Sequence, residues 1–275
     1  MSATTRVPTV ALTRPAPAPG RPALVLGPSL GTSAAALWGP CLPLLIEAFD
    51  VLAWDLPGHG RSPSAAADFT MAQLADGVLD AVDAALEAGG EPVALHYAGD
   101  SIGGAVGLHL LLDHPGRLVA ASLLCTGARI GEPRSWLDRA GMVERSGVGS
   151  VVDGSRQRWF GPGFPDRHPD RADALIASLR AADPADYARA CRALASFDVR
   201  DRLPGIGAPV LAVAGSHDQP TPVASLREIA DGVVNGRLEV LDGVAHLAPA
   251  EAPDAVAALL RDHHGQRTRP PSNGR

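Results

Sequence analysis

The chain has 275 residues, of which 46% are hydrophobic and 20% are charged, a balance typical of a globular protein with a large core. Its formal net charge of −6 provides no basic field for nucleic acid, so we predict no nucleic-acid partner. No apolar run reaches the roughly 20 residues that span a bilayer, and the N-terminus lacks the apolar core of a signal peptide. We therefore expect a cytoplasmic protein that is not bound to a membrane. The three cysteines are far apart, which argues against disulfides and against a metal site.

Buried strands alternate with helices over the first half of the chain. Each apolar run ends in a turn, and the helical spacing over 69–86 begins after Thr70, a suitable N-cap. The predicted strands cover 22–31, 50–62, 91–101 and 117–127, and the predicted helices cover 37–49, 69–86 and 102–115. Because these strands are apolar throughout, we predict a mostly parallel sheet that is covered by helices on both faces, an α/β fold.

This alternation stops over 128–203, where an Arg- and Asp-rich, helix-like sequence is broken by prolines and glycines. We predict that this segment is a helical cap, inserted between two parts of one α/β core at 1–127 and 204–264. In the second part, strands are predicted at 208–218 and 236–243, and helices at 222–233 and 253–264. The polar tail 265–275 is predicted to be disordered.

A serine between two glycines follows the predicted strand 91–101 and is the first candidate for chemistry. The spacing Gly99-x-Ser101-x-Gly103 is that of an elbow that presents a nucleophilic serine at the end of a strand. Small neighbours suit such a turn, because the serine adopts strained dihedral angles and the next helix passes close to the strand. In a chain with 30 glycines this motif has little specificity by itself.

Acyl transfer through a serine also needs an imidazole to take its proton and a carboxylate to orient that imidazole. Asp218 directly follows a buried strand, and His246 lies in the loop after the last predicted strand. In parallel sheets these positions meet at one edge, and the order serine, acid, histidine is typical of the elbow-containing hydrolases. We therefore predict that Ser101, Asp218 and His246 form a catalytic triad.

Other histidines fit this role less well. His96 lies inside a strand and is expected to pack in the core, and His217, beside the acid, is expected to line its loop. Structural or terminal positions are predicted for His59 in a turn, His109 and His114 on or after the elbow helix, and His263 and His264 near a frayed terminus.

An oxyanion hole requires two N–H donors near the nucleophile. The backbone N–H of Ile102 follows Ser101 at the start of a helix and is the first predicted donor. The second is expected from the loop GPSLGT after the strand 22–31, and by position we choose the N–H of Leu30.

At these motifs the chain resembles the α/β-hydrolase superfamily, and within it the 3-oxoadipate enol-lactonases, from about Leu24 to Asp262. The motifs DLPGHGRS (55–62) and GDSIGG (99–104) are common to many hydrolases, whereas the cap segments ARIGEPRSW (128–136) and RWFGPGF (158–164) carry the narrower resemblance. Further similar segments are SLGT…LW (29–38), DPADYARACRAL (183–194), AGSHDQPTP (214–222) and GVAHLAPAEAP (243–253).

The resemblance implies hydrolysis of a five-membered enol lactone to 3-oxoadipate in bacterial aromatic catabolism, the β-ketoadipate pathway. In that reaction Ser101 would be the nucleophile, Asp218 the acid and His246 the base. The partner is then a small lactone or ester. Neither a dinucleotide nor a P-loop glycine motif is present, so we predict no cofactor. The oligomeric state stays open.

Two residues depart from the pattern of these lactonases. Pro28 stands where an asparagine is common, and because proline lacks an N–H and fixes φ, it can change the shape of the oxyanion loop. Asp100 stands where an apolar residue is usual. Its carboxylate either repels an anionic substrate or raises the pKa of His246, or else it turns away from the pocket and is hydrogen-bonded.

The implied substrate carries a carboxylate, which calls for a cation in the pocket. Arg129 is the first candidate and Arg158 the second, since an arginine fork suits a carboxylate. The cap residues Trp136 and Trp159 either line the pocket or pack the cap.

Two other functions remain open from the sequence. One is a carboxylesterase or lactonase that acts on a neutral or secondary-metabolite substrate. The other is a non-catalytic binding protein that uses the pocket for sensing. Labelling of Ser101 by a phosphonate and turnover of a simple ester distinguish catalysis from binding.

Overall fold

A central sheet of seven strands organises the protein, which we describe from a computed structural model over residues 7–18, 20–86 and 94–265. The strands are β1 (Leu12–Thr13), β2 (Ala23–Gly27), β3 (Asp50–Trp54), β4 (Leu95–Asp100), β5 (Leu118–Leu124), β6 (Val210–Gly215) and β7 (Gly236–Leu241). Their order is β1-β3-β2-β4-β5-β6-β7, and only β1 is antiparallel to its neighbour. The sheet confirms the prediction of a mostly parallel α/β fold.

Helices connect the parallel strands. Outside the segment between β5 and β6 they are α1 (Ala34–Trp38), α2 (Leu42–Leu45), α3 (Met71–Ala85), α4 (Ile102–Asp113), α10 (Val223–Gly232), α11 (Ala248–Glu251) and α12 (Pro253–Gly265). From β2 to β3 the chain moves toward the β1 edge of the sheet, and from β3 onwards it moves toward the β7 edge. Right-handed crossovers in opposite directions place helices on opposite faces. Accordingly α3 packs on α4, and α12 packs on α2.

Burial and capping follow the sequence pattern. The strands β2, β3, β4 and β6 are buried along their whole length, as expected for parallel strands covered on both faces. Thr70 caps α3 through a reciprocal pair of hydrogen bonds with Gln73, which confirms the predicted N-cap.

The segment 128–203 lies between β5 and β6 and is helical. It contains α5 (Pro133–Ser146), α6 (Val152–Trp159), α7 (Phe164–Arg167), α8 (Pro169–Ala181) and α9 (Pro184–Ala195), with a short 3₁₀ helix at Val148–Val151. A second 3₁₀ helix, Arg200–Gly205, extends two residues past the end of the segment. The two ends of the segment are joined, because the Val199 N–H donates to the Ala128 carbonyl over 2.9 Å. The segment also contacts the core, where the Asp183 N–H donates to the Gly58 carbonyl over 2.8 Å. We call residues 128–203 the cap.

The prediction for the end of the chain was wrong at two histidines. His263 and His264 belong to α12 and are buried, not frayed. The Nδ1 atoms of His264 and His96 lie 3.0 Å apart, and His264 Nε2 lies 3.0 Å from the Ser122 hydroxyl. The sequence pattern also missed the two-residue edge strand β1.

Two predictions fall partly on residues that the structure does not describe. The predicted strand 91–101 begins outside the described residues. The predicted tail also lies outside them from residue 266 onwards. Within the described part of the chain, no helix is both long and apolar enough to cross a membrane.

Candidate active site

The elbow at Ser101 is tightly built. Ser101 has φ 53° and ψ −116° and stands directly before α4, and its N–H donates to the Leu124 carbonyl over 2.9 Å. A non-glycine residue with positive φ is strained, a feature of this kind of nucleophile turn. At Gly103 an added Cβ would lie 2.7 Å from the Pro28 carbonyl oxygen, so a side chain there would displace the backbone. The glycine allows α4 to approach the loop that follows β2.

The structure brings Ser101, Asp218 and His246 together at the carboxyl ends of their strands. His246 Nε2 lies 3.0 Å from the Ser101 Oγ. On the other side of the ring, His246 Nδ1 lies 3.0 and 3.1 Å from the two carboxylate oxygens of Asp218. All three side chains are buried. With Nδ1 protonated and donating to Asp218, Nε2 is free to accept the serine proton.

Asp218 is held by Thr221 as well as by the imidazole. The Thr221 hydroxyl donates to Oδ2 over 2.7 Å, and its N–H donates to Oδ1 over 3.0 Å. Burial works to raise the pKa of Asp218, but the charge and hydrogen bond of His246 and the bonds from Thr221 lower it below its usual value. The acid is therefore ionised at neutral pH.

The structure gives the positions of Leu30 and Ile102, whose N–H groups are the predicted oxyanion donors. Leu30 lines the same cavity as Ser101, and Ile102 begins α4. Neither backbone N–H has an acceptor among the described residues, so both are available to a ligand. The loop is fixed by Thr32, whose hydroxyl donates to the Ser29 carbonyl over 2.9 Å.

Pro28 takes part in this arrangement through its carbonyl rather than its missing N–H. The Gly103 N–H donates to the Pro28 carbonyl over 2.9 Å. The loop after β2 is thus tied to the first turn of α4 without any N–H from residue 28.

Asp100 is fully buried and does not line the cavity, so the alternative in which it turns away from the pocket describes its position. The expected hydrogen bond is absent: neither carboxyl oxygen has a partner among the described residues. Burial, followed by the charges of Asp218 and Glu251, raises the pKa of Asp100 well above its ordinary value. A neutral Asp100 exerts no charge on an anionic substrate.

A cavity of about 370 Å³ opens over the triad. Its lining combines core loops, the cap and two triad members: Ser29, Leu30, Ser101, Ile130, Gly131, Glu132, Ser135, Trp136, Arg139, Arg158, Trp159, Tyr187, Gln219, Pro220 and His246. Both cap tryptophans singled out in the sequence are therefore at the cavity wall. Trp159 is also buried, and the Trp136 indole donates to the Ile130 carbonyl over 2.6 Å.

Two arginines supply positive charge to this cavity. Arg139 donates to the Tyr187 hydroxyl and to the Ser155 hydroxyl, each over 2.9 Å, and its guanidinium lies 5.9 Å from the Trp136 ring centre. Burial, and then the charge of Arg139, lowers the pKa of Arg158. Within the described residues neither arginine forms an ion pair with a carboxylate.

The structure does not place Arg129 in the cavity. Its guanidinium is bonded to the Glu132 carboxylate, and its backbone pairs with Asp198 at the base of the cap. Arg129, the first candidate for a cation in the pocket, is therefore not a lining residue, and the arginines that do line the cavity are Arg139 and Arg158.

The sequence analysis did not single out Thr221, which binds the acid, or Arg139 and Tyr187, which line the cavity. Only Thr221 had a local signal, since it lies three residues after the acid, within reach of a short turn. Tyr187 and Arg139 meet through the packing of α5 on α9, which no spacing along the chain reveals.

Among the other histidines, His59 is buried and its ring stacks on Tyr187 at 6.1 Å between ring centres.

The fold and this geometry define a class of protein. The chain belongs to the alpha/beta hydrolase family, which it matches over residues 24–259. This confirms the predicted α/β-hydrolase fold and superfamily. It also supports the coarser part of the functional prediction, that the protein is a hydrolase.

Several relatives resemble the chain over most of its length. 3-Oxoadipate enol-lactonase 2 of Acinetobacter baylyi is 33% identical over 235 residues, which cover 86% of this chain and 85% of the relative. The putative carbamate hydrolase RutD of Variovorax paradoxus is 30% identical over 236 residues, 84% of this chain and 86% of the relative. The crystal structure of the enol-lactonase from Burkholderia xenovorans LB400 matches with a TM-score of 0.85 at 29% identity, covering 93% of this chain and 95% of the other. The resemblance to enol-lactonases inferred from the motifs is thereby confirmed.

Proposed function

We propose that the protein is a serine hydrolase that opens a small lactone bearing a carboxylate, through an acyl-enzyme on Ser101. The observation that carries this proposal is the placement of Arg139 and Arg158, unpaired with carboxylates in the described chain, in the cavity of Ser101 and His246. Two guanidinium groups without an anionic partner favour a ligand that supplies one.

The first half of the reaction acylates the serine. As the Ser101 Oγ attacks the lactone carbonyl carbon, its proton moves to Nε2 of His246, which lies 3.0 Å away. The N–H groups of Leu30 and Ile102 stabilise the tetrahedral oxyanion, an effect worth about 3–4 kcal/mol per donor in comparable sites. Asp218 holds the imidazole in the correct tautomer and stabilises the imidazolium.

Collapse of the tetrahedral intermediate breaks the bond between the carbonyl carbon and the ring oxygen. The oxygen leaves as an enol, taking the proton from His246, and the enol tautomerises to a ketone. Because the ketone is the more stable form, departure needs little acid assistance. His246 then accepts a proton from water, the hydroxide attacks the acyl-enzyme, and the acid is released as the proton returns to Ser101.

The substrate that we propose is 3-oxoadipate enol-lactone, hydrolysed to 3-oxoadipate in aromatic catabolism. Two relatives reported above are named enol-lactonases, one from sequence comparison and one from a crystal structure. A cavity of about 370 Å³ is of the size expected for a small ring with a short carboxylated arm.

A substrate comparison tests the proposal. Purified protein is assayed on 3-oxoadipate enol-lactone and on p-nitrophenyl acetate, a neutral ester, with Ser101→Ala as the control. We expect kcat/KM for the lactone to exceed that for the ester by orders of magnitude, and both activities to vanish in the control.

Equal efficiency on both substrates would instead identify a broad esterase. Absence of all turnover, together with failure of a phosphonate to label Ser101, would identify a binding protein.

A further inference from the structure

The loop that carries the triad histidine, residues 242–247, is bonded to the cap. The His246 N–H donates to the carbonyl of Trp159, a cavity-wall residue, over 3.2 Å. The next bonds run through Glu251: its Oε1 accepts the Ala245 N–H over 3.0 Å, and its Oε2 accepts the Gly161 N–H over 2.7 Å. One carboxylate therefore bridges the residue before the histidine and the cap segment 159–161.

Backbone contact reinforces this bridge. A Cβ at Gly161 would overlap the Gly243 carbonyl oxygen and lie 3.0 Å from Oε2 of Glu251. The cap segment thus lies directly against the histidine loop, with no room for a side chain between them.

The core holds the opposite side of the loop by other means. The His217 N–H donates to the Val244 carbonyl over 2.8 Å, and the Cys125 thiol lies 3.4 Å from the Ala245 carbonyl oxygen. On the cap side, by contrast, the N–H of Ala245 is held by a single side chain, that of Glu251.

We propose that Glu251 is a positioning residue: by binding the N–H groups of Ala245 and Gly161 together, it holds the imidazole of His246 over Ser101 and makes the cavity wall and the base one rigid unit. This inference rests on the proposed function, since it assigns His246 the role of base. Glu251 itself touches neither Ser101 nor the space where the substrate carbonyl must lie.

The chemistry of the bridge requires a carboxylate. Both of its oxygens accept from N–H groups, whereas the amide of a glutamine has one acceptor and one NH₂ that would face an N–H. Glu251→Gln keeps the shape and volume of the side chain, so it separates the bridge from simple packing. Burial raises the pKa of Glu251, although the hydrogen bonds from the N–H groups of Gly161 and Ala245 act to lower it.

The test measures turnover of p-nitrophenyl acetate, whose hydrolysis requires Ser101 and His246 whatever the natural substrate. We expect Glu251→Gln to lower kcat by roughly 10- to 100-fold with little change in KM, since small displacements of a catalytic group cost about this much. The rate at which a phosphonate labels Ser101 should fall by the same factor. Glu228→Gln, at an exposed position on α10, is the matched control and should keep wild-type kcat.

Rates are normalised to the fraction of Ser101 labelled at completion, which removes any effect of partial unfolding. A kcat within twofold of wild type in Glu251→Gln, with or without a lower melting temperature, overturns the inference. If Glu251→Gln does not fold, Glu251→Asp serves instead: it keeps the charge but is one methylene too short to reach both N–H groups, and a wild-type kcat would overturn the inference. A wild-type protein that is neither active nor labelled refutes the proposed function itself.

The link to the cavity wall has its own test. If Glu251 acts through the segment 159–161, Trp159→Ala should lower kcat/KM for the ester less in the Glu251→Gln background than in wild type. Multiplicative effects of the two changes would reject the coupling between wall and base.

Discussion

The hydroxyl of Thr221 lies 2.7 Å from Oδ2 of Asp218, and the N–H of the same residue lies 3.0 Å from Oδ1. Both carboxylate oxygens therefore have a fixed donor besides the imidazole. This arrangement sets the plane of the carboxylate before any substrate binds, which is what an orienting acid needs.

Thr221→Val removes the hydroxyl and keeps the shape of the side chain and the backbone donor. A hydrogen bond to a charged group contributes about 1.5–3 kcal/mol, so we expect the free energy of unfolding to fall by this order. We also expect kcat to fall by about tenfold with KM unchanged, because the acid stabilises the imidazolium that forms in the transition state. Urea denaturation and steady-state kinetics measure the two effects.

Asp218→Asn is the reference for this variant, with an expected loss of about 10⁴ in kcat. A Thr221→Val protein that is less stable but has wild-type kcat would show that the threonine supports the loop without orienting the acid.

Arg158 is the better of the two cavity arginines to test, because Arg139 also binds Tyr187 and Ser155 and supports the cap. Loss of an ionic hydrogen bond in Arg158→Gln should raise KM for the carboxylated lactone by roughly 10- to 100-fold. Turnover of p-nitrophenyl acetate should change by less than about threefold, because that ester has no carboxylate to bind.

Arg134→Gln is the matched control, since this arginine forms an exposed pair with Asp138 and neither residue lines the cavity. It should leave KM for both substrates unchanged. An equal loss on lactone and ester in Arg158→Gln would mean that the arginine shapes the cavity without recognising a carboxylate.

The contrast between Arg129 and Arg139 shows what a sequence can predict about such a site. Ser101, Asp218 and His246 each directly follow or lie just beyond a strand, so the local pattern and the parallel sheet were enough to predict that they meet. Arg129 has the same local signal, yet its side chain is bonded to Glu132, three residues on. Arg139 is brought to the cavity only by the packing of α5 on α9. Contacts between distant helices depend on tertiary packing, which the periodicity of one chain does not encode.

Asp100 illustrates the same limit for electrostatics. Its place before the nucleophile was evident from the sequence, but whether it is charged depends on burial and on neighbours from other elements. Its position behind the triad, near Asp218 and Glu251, makes the neutral form the favoured one.

The stability of the protein should therefore depend on pH through Asp100. Burial raises its folded-state pKa above the ordinary value of 3.8, so between these two values the folded state holds a proton that the unfolded state has lost. Stability then falls as pH rises, by up to about 1.4 kcal/mol per pH unit from this group, and is unaffected by it below about pH 4. Asp100→Asn cannot ionise and removes this slope.

We expect Asp100→Asn to gain stability over wild type as pH rises from 4.5 to 8.5, as measured by urea midpoints across that range. Asp153→Asn, at an exposed position on α6, controls for the loss of a carboxylate as such. Parallel curves for wild type and Asp100→Asn would contradict the assignment of a neutral buried acid.

The buried contact between α12 and the sheet gives a last prediction, for stability alone. His264 bonds to His96 on β4 through Nδ1 and to Ser122 on β5 through Nε2, and it is fully buried. His264→Ala removes both bonds and leaves a cavity between α12 and the sheet. We expect a loss of roughly 2–5 kcal/mol in the free energy of unfolding, from unpaired polar groups and lost packing together.

His217→Ala, at an exposed position, is the control and should cost less than about 0.5 kcal/mol. Because His264, His96 and Ser122 lie away from the cavity, kcat of the folded His264→Ala protein should equal that of wild type, measured well below its melting temperature. A variant as stable as wild type would show that α12 is held by its apolar face alone, and that these hydrogen bonds merely replace those to water.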